Sequence, residues 1–358
     1  MEKHTAVTRP WIVLVGGFLG SGKTTLLIAA AHELERRGLR TAIILNDQGD
    51  PLVDTDCVAR NGLHFGEVTG GCFCCKLSSL IDVMDRLSEH SPYVIFAEPV
   101  GSCTDLSATI LRPLAEWSDQ YQLAPFTVLV DPSRALSLCN ERADPYLSYL
   151  FHKQIEEADL VCFSKSDLYP NCPTLPGPAK SGIRQVSAKS GQGVRAWLDE
   201  VMSGTLTTGA TLLDIDYEQY AQSEAALVWL NLQASLQSTS PHSYATILGP
   251  MFDDLDKDFT AAGISIIHLK AIVSSPAGYL KGAICSNGQQ PVFEGAFDAS
   301  PETRHELLLN LRTLGSSSDV RNIVEQRVKS MGAALDDLVI SCFHPAAPKP
   351  ERRVTQRT

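Results

Sequence analysis

Gly17-Phe18-Leu19-Gly20-Ser21-Gly22-Lys23-Thr24 follows the pattern G-x-x-x-x-G-K-[ST] and decides how the rest of the chain is read. The apolar, β-branched run Trp11-Ile12-Val13-Leu14-Val15 stands before it, and Thr25 to Arg37 after it has the pattern of a helix. A strand, a glycine loop and a helix in that order make a cradle for the phosphates of a nucleoside triphosphate. Glycines let the loop turn its N–H groups inward, and the helix N-terminus adds partial positive charge. Lys23 is placed to reach the β- and γ-phosphates and the Thr24 hydroxyl to bind Mg²⁺. The nucleotide is therefore expected on residues 17–25, held by Gly17, Gly20, Ser21, Gly22, Lys23, Thr24 and Thr25.

Working outward, Thr41–Leu45, Tyr93–Ala97, Phe126–Val130 and Leu160–Phe163 are short apolar runs separated by helix-length segments. Strands that are apolar throughout belong to a parallel sheet covered on both faces, with ligand groups at their carboxyl ends. This predicts a doubly wound, mostly parallel α/β fold through about Met202. Beyond a polar stretch the runs Leu227–Leu232, Ile264–Ile272, Tyr279–Cys285 and Pro291–Phe297 predict strands, with helices at Met251–Ala262, Pro301–Leu314 and Asp319–Met331 and a closing strand at Leu338–Phe343. The expected organisation is a P-loop domain over residues 1–205, a linker over 206–222, a smaller α+β domain with an antiparallel sheet over 223–345, and a disordered tail over 346–358.

The 358 residues suit two domains. A net charge of −11, from 41 acidic against 30 basic residues, disfavours nucleic acid as a partner. No apolar run approaches the roughly 20 residues of a membrane span, and Met1–Pro10 does not read as a secretory signal, so a cytoplasmic protein without a membrane partner is expected. The sequence does not specify an oligomeric state.

Base recognition is read further along. Ser164-Lys165-Ser166-Asp167 resembles the N-K-x-D guanine motif, with Ser164 where the motif has Asn. Asp167 offers paired acceptors to the two guanine N–H donors, and the Lys165 stem offers a cover for the ring. Ser187-Ala188-Lys189 matches the S-A-K element that sets a backbone N–H against guanine O6. Glu98, at the tip of the strand Tyr93–Ala97, is expected to hold Mg²⁺ through water or to orient the attacking water, with Gly101 letting backbone approach the γ-phosphate. Asp47, in Asn46-Asp47-Gln48-Gly49-Asp50, stands where a switch loop is expected.

Gly71-Cys72-Phe73-Cys74-Cys75 gathers three thiols, soft ligands for Zn²⁺, Co²⁺, Ni²⁺ or Cu⁺. Three is one short of a closed tetrahedron, which suits an ion that is handed on. Cys57, Cys103 and His64 are further candidate ligands, and a redox or packing role for the three thiols is the alternative.

Together Gly16–Leu27, Asn46–Asp50, Gly71–Cys75, Glu98–Gly101 and Ser164–Asp167 resemble the CobW-type branch of the CobW/HypB/UreG P-loop GTPases. The likeness covers roughly the first 200 residues. It implies a slow GTPase that cycles between GTP and GDP, carries a transition metal, Zn²⁺ or Co²⁺ first, on Cys72, Cys74 and Cys75, and delivers it to a client metalloprotein or a cofactor-pathway protein. Because the segment 46–75 joins switch acids to thiols, the γ-phosphate is expected to alter metal affinity. Two other readings stay open: a nucleotide-gated chaperone of a corrinoid or other metalloenzyme with structural cysteines, and an ATP-dependent kinase.

Overall fold

The computed structural model describes residues 9–50, 52–117, 119–175 and 183–355, and every absence or count below refers to these. Two compact units are present. The first comprises the chain up to Gln48, Asp54–Tyr220 and the chain from Pro348 onward; the second comprises Gly49–Val53 and Ala221–Ala347.

The first unit is built on strands β1 (Trp11–Gly16), β2 (Thr41–Asn46), β3 (His64–Val68), β4 (Val94–Glu98), β5 (Gln122–Leu123), β6 (Thr127–Val130), β7 (Leu160–Phe163) and β8 (Ile183–Gln185). They run in the order β3-β2-β4-β1-β6-β7-β8, with β5 also on β1, and every pairing is parallel. Residues of β1, β2, β4 and β6 are buried throughout, as expected where helices cover both faces. The winding reverses about β1, so the glycine loop leaves the sheet where a doubly wound fold opens its ligand crevice.

The second unit holds β9 (Leu227–His242), β10 (Ser265–Ser275), β11 (Gly278–Ile284), β12 (Val292–Gly295), β13 (Glu302–Leu314) and β14 (Ala334–Phe343), in the order β12-β11-β10-β13-β9-β14. All pairings are antiparallel. Phe252, Leu255 and Phe259 of the helix Tyr244–Ala261 and Val320, Val324 and Val328 of the helix Ser317–Lys329 close the core against the sheet.

One expected helix is a strand. Residues 301–314 carry Glu, Leu and Arg, good helix formers, yet Glu302–Leu314 lies between β9 and β10. Leu307, Leu309 and Leu311 alternate into the core at 0% exposure, and pairing along both edges outweighs a propensity worth only tenths of a kcal/mol per residue, about 0.7 at most for ordinary residues.

The tail expected to be disordered from 346 is also corrected over its described part. Glu351 N–H donates to Cys74 O at 2.9 Å and Val354 N–H to Ala108 O at 2.9 Å, so the segment is held on the first unit by backbone and ion-pair contacts that leave no periodic trace in sequence. Residues 356–358 of that tail, and 1–8 of the expected first domain, lie outside the described residues.

Candidate functional site

The phosphate loop is built by glycine. Gly17, Gly20 and Gly22 have φ of 135°, 80° and 90°, and a Cβ on Gly17 would fall 2.3 Å from the carbonyl of Leu129 in β6. The helix that follows, Lys23–Arg36, has Gly22 at its N-cap and no capping side chain, which leaves its first N–H groups for an anion. Lys23 Nζ donates to Gly17 O at 2.9 Å and stands 3.9 Å from Glu98 Oε1. The Thr24 hydroxyl donates to Glu98 Oε1 at 3.1 Å, and all three side chains are buried. The Ser21 hydroxyl is buried without a protein partner. A glycine-built loop, an uncapped helix N-terminus, an unpartnered hydroxyl and a Thr–Glu pair beside a lysine fit a magnesium–triphosphate.

Glu98 ends β4, in register with Leu45 of β2, so the chain through Asp47 leaves the sheet beside it. Asp47 is half-buried, its N–H donating to Val68 O at 3.3 Å. A Cβ on Gly101 would come within 3.1 Å of Lys23 Nζ and 3.2 Å of Leu19 N, so this glycine lets the loop after Glu98 close on the phosphate loop. Gln154 fixes that loop from beneath, donating to Gly101 O at 3.0 Å and Cys103 O at 2.9 Å.

The two guanine-type elements meet at the carboxyl ends of β7 and β8, joined by Ser166 N–H to Val186 O at 3.3 Å. Lys165 adopts φ 55° and pairs through Nζ with Asp131, while Asp167 and Lys189 are exposed, Ala188 is half-buried and Ser187 is buried, its hydroxyl accepting from Ser190 N–H at 3.1 Å. Ser164 spends its hydroxyl on Val130 O at 3.3 Å. Asp131, which holds Lys165, is a residue that sequence reasoning missed. The signal was present in Asp131-Pro132-Ser133 after a strand, an N-cap with proline at the first helical position.

The thiols converge. Cys72 Sγ lies 2.8 Å from Cys74 Sγ and 3.2 Å from Cys75 Sγ, with 3.8 Å between the last two. They form the one His/Cys/Asp/Glu group among the described residues compact enough to hold a metal. Hydrogen bonds from Cys103, Cys74 and Cys75 hold the Cys72 thiol far below its usual range. The thiols facing it rise in return: their bonds to Cys72 push Cys74 well up and Cys75 to about 11. Of the further candidates, Cys103 touches Cys72, whereas Cys57 sits in the helix Val53–Arg60. His64 opens β3, at the opposite end of that strand from the thiols, and stacks on His90.

Asn46, the last residue of β2, is the second residue whose role was missed. It is buried; its amide donates to Val68 O at 2.8 Å and Gly71 O at 2.7 Å, and its carbonyl accepts Phe73 N–H at 2.8 Å. Just beyond, Gly49–Val53 belongs to the second unit, where Val53 N–H donates to Asn310 Oδ1 at 2.8 Å and a Cβ on Gly49 would strike Asn231 Nδ2.

Residues 11–189 match the family described as CobW/HypB/UreG, nucleotide-binding domain. Over 168 residues, 44% of this chain and 49% of the relative, the chain is 29% identical to the zinc chaperone YjiA of Escherichia coli (strain K12). Over 166 residues, 43% and 46% respectively, it is 31% identical to the zinc chaperone YeiR of the same organism. The chain spans about half the length of these curated relatives. Among solved structures, HypB from Helicobacter pylori in complex with nickel aligns at a TM-score of 0.42 and 18% identity over 56% of this chain and 91% of that one.

Proposed function

The chain belongs to the CobW/HypB/UreG family, and from that premise we propose that it hydrolyses GTP and carries a transition metal, zinc first and cobalt second, on Cys72, Cys74 and Cys75 for delivery to a client metalloprotein. In this reading the amides and side chains of residues 17–25 bind the triphosphate, and Lys23 exchanges Gly17 O for phosphate oxygens. Thr24 and Glu98 hold Mg²⁺, which supplies charge neutralisation at the phosphates. Glu98, buried beside Lys23 and Thr24, orients the attacking water, and Asp47 adds a carboxylate from the switch loop. Asp167 and the amides of Ser187–Lys189 read guanine, with Lys165 steadied by Asp131.

The observation that carries the coupling is Asn46. One side chain at the head of the switch loop holds both sides of the turn leading to the thiols, so a rearrangement driven by γ-phosphate alters the geometry of the metal ligands. Linkage requires the effect to be mutual. Zinc titrations of the reduced protein with GDP and with a non-hydrolysable GTP analogue should differ by at least about fivefold in affinity, a coupling of roughly 1 kcal/mol. Equal affinities, with GTP turnover indifferent to zinc, would defeat the reading.

A further inference from the structure

The segment after Pro348 lies across the thiol site as a strap. Lys349 N–H donates to Cys75 Sγ at 3.1 Å, and Glu351 N–H to the carbonyl of Cys74 at 2.9 Å. The Glu351 carboxylate accepts from Ser78 N–H at 2.8 Å and Ser78 Oγ at 3.0 Å. It thereby caps the helix Leu77–Ser88, whose own N-cap, Lys76, offers no capping side chain. Arg352 lies over Trp117, 4.3 Å from guanidinium to ring, and pairs with Glu116.

The far anchor is a built arginine site. Asp105 is 1% exposed with φ 63°, and its carboxylate accepts from the Tyr217 hydroxyl at 2.7 Å and from Arg353 Nε and Nη2 at 2.7 and 3.3 Å. Arg353 also donates to Leu213 O at 2.8 Å. A buried carboxylate held in left-handed backbone and met by a two-pronged guanidinium is not an incidental surface contact.

Asp105 follows Glu98 and Gly101 on the loop that closes against Leu19 and Lys23. The strap therefore ties the most accessible of the three thiols, the half-buried Cys75, to the loop that packs against Leu19 and Lys23.

We propose that residues 348–354 are the gate of the thiol site: docked, they shield Cys75 and slow metal exchange; lifted by movement of the Asp105 loop, they open the site to a client's ligands. The inference rests on the metal-carrier reading above and adds its regulation. Ligand exchange proceeds by an incoming group reaching the metal as a thiolate leaves, and the strap covers the side from which Cys75 is reached.

The test uses the full chain and the double variant Glu351→Ala/Arg353→Ala, with Glu351→Gln, which keeps an oxygen to accept from Ser78, as the conservative control. In reduced, metal-free protein, alkylation of Cys75 by iodoacetamide, followed by mass spectrometry, should quicken at least fivefold in the double variant and stay near the parent rate in Glu351→Gln. From zinc-loaded protein, transfer to a chromophoric chelator should quicken about tenfold. Unchanged alkylation and transfer rates in a variant that still binds GTP overturn the gate. Failure of parent and variant alike to take up zinc overturns the carrier reading and the gate with it, and the alkylation rates then show separately whether the strap covers Cys75.

Discussion

Asn46 and Phe73 are joined by a 2.8 Å hydrogen bond from the Phe73 N–H to the Asn46 carbonyl oxygen, which closes a buried clamp between the end of β2 and the turn that carries the thiols. With the two bonds from its amide to Val68 and Gly71, Asn46 ties the head of the loop after β2 to both sides of the turn that carries the thiols.

Asn46→Ala should therefore loosen the cysteine turn. Groups that orient metal ligands are worth about 10–100-fold in affinity, and zinc competition titrations of the variant should show a loss in that range. Asn46→Asp should be at least as damaging, because a carboxylate would face the carbonyls of Val68 and Gly71 with nothing to donate. An unaltered zinc affinity in Asn46→Ala would remove the clamp from the mechanism.

Gly17→Ala sets a methyl 2.3 Å from Leu129 O, on backbone at φ 135°. Backbone strain of about 1–3 kcal/mol and overpacking of similar size lead to an expected loss of about 2–5 kcal/mol, read as a lower urea midpoint, together with loss of GTP binding. Normal stability and normal nucleotide affinity would contradict this account of the loop.

Asp167→Asn exchanges a paired acceptor for an amide and should weaken GTP by at least about tenfold, or 1.4 kcal/mol, with ATP little changed. Asp131→Asn should act at one remove: freed from its ion pair, Lys165 ranges more widely, and the GTP-to-ATP preference narrows while fold and Mg²⁺ dependence persist. Competition binding with both nucleotides measures each effect, and a preference untouched by either substitution counts against guanine reading at this end of the sheet.

Glu157 is fully buried, and desolvation, reinforced by the nearby Asp105 charge, pushes its carboxyl well above the ordinary 4.5. Between 4.5 and that raised value the folded protein holds a proton that the unfolded chain has lost, so this group's contribution to stability falls as pH rises. Glu157→Gln removes the titration, and its stability relative to the parent should increase from about pH 5 to about pH 8. A constant difference across that range in urea denaturation would rule the linkage out.

What sequence disclosed follows from the range of each interaction. The strands Trp11–Gly16 and Leu160–Phe163 and the helix Lys23–Arg36 were legible because local pattern and burial agree there. The phosphate loop was legible because its glycines answer a local steric demand. Glu302–Leu314 was misread because only its neighbours in the sheet make it extended. β9 runs to His242, ten residues past the expected Leu232, because its polar end is carried by pairing with β13 and β14 rather than by its own hydrophobicity. The strap was invisible for a related reason. The Lys349 N–H and the charges of Glu351 and Arg353 read as ordinary solvated groups until Cys75, Ser78 and Asp105, far away in sequence, come to meet them.

The interleaving of the two units has a consequence for how such a chain is inherited and engineered. It passes from one unit to the other after Gln48, Val53, Tyr220 and Ala347, so no single cut yields two self-sufficient halves. A nucleotide module shortened at Tyr220 would forfeit the seat of Val53 on Asn310 and the segment from Pro348 laid beside Cys74. Shuffling, circular permutation or fusion at the obvious boundary should fail for this molecule unless Gly49–Val53 travels with the second unit and the segment from Pro348 with the first.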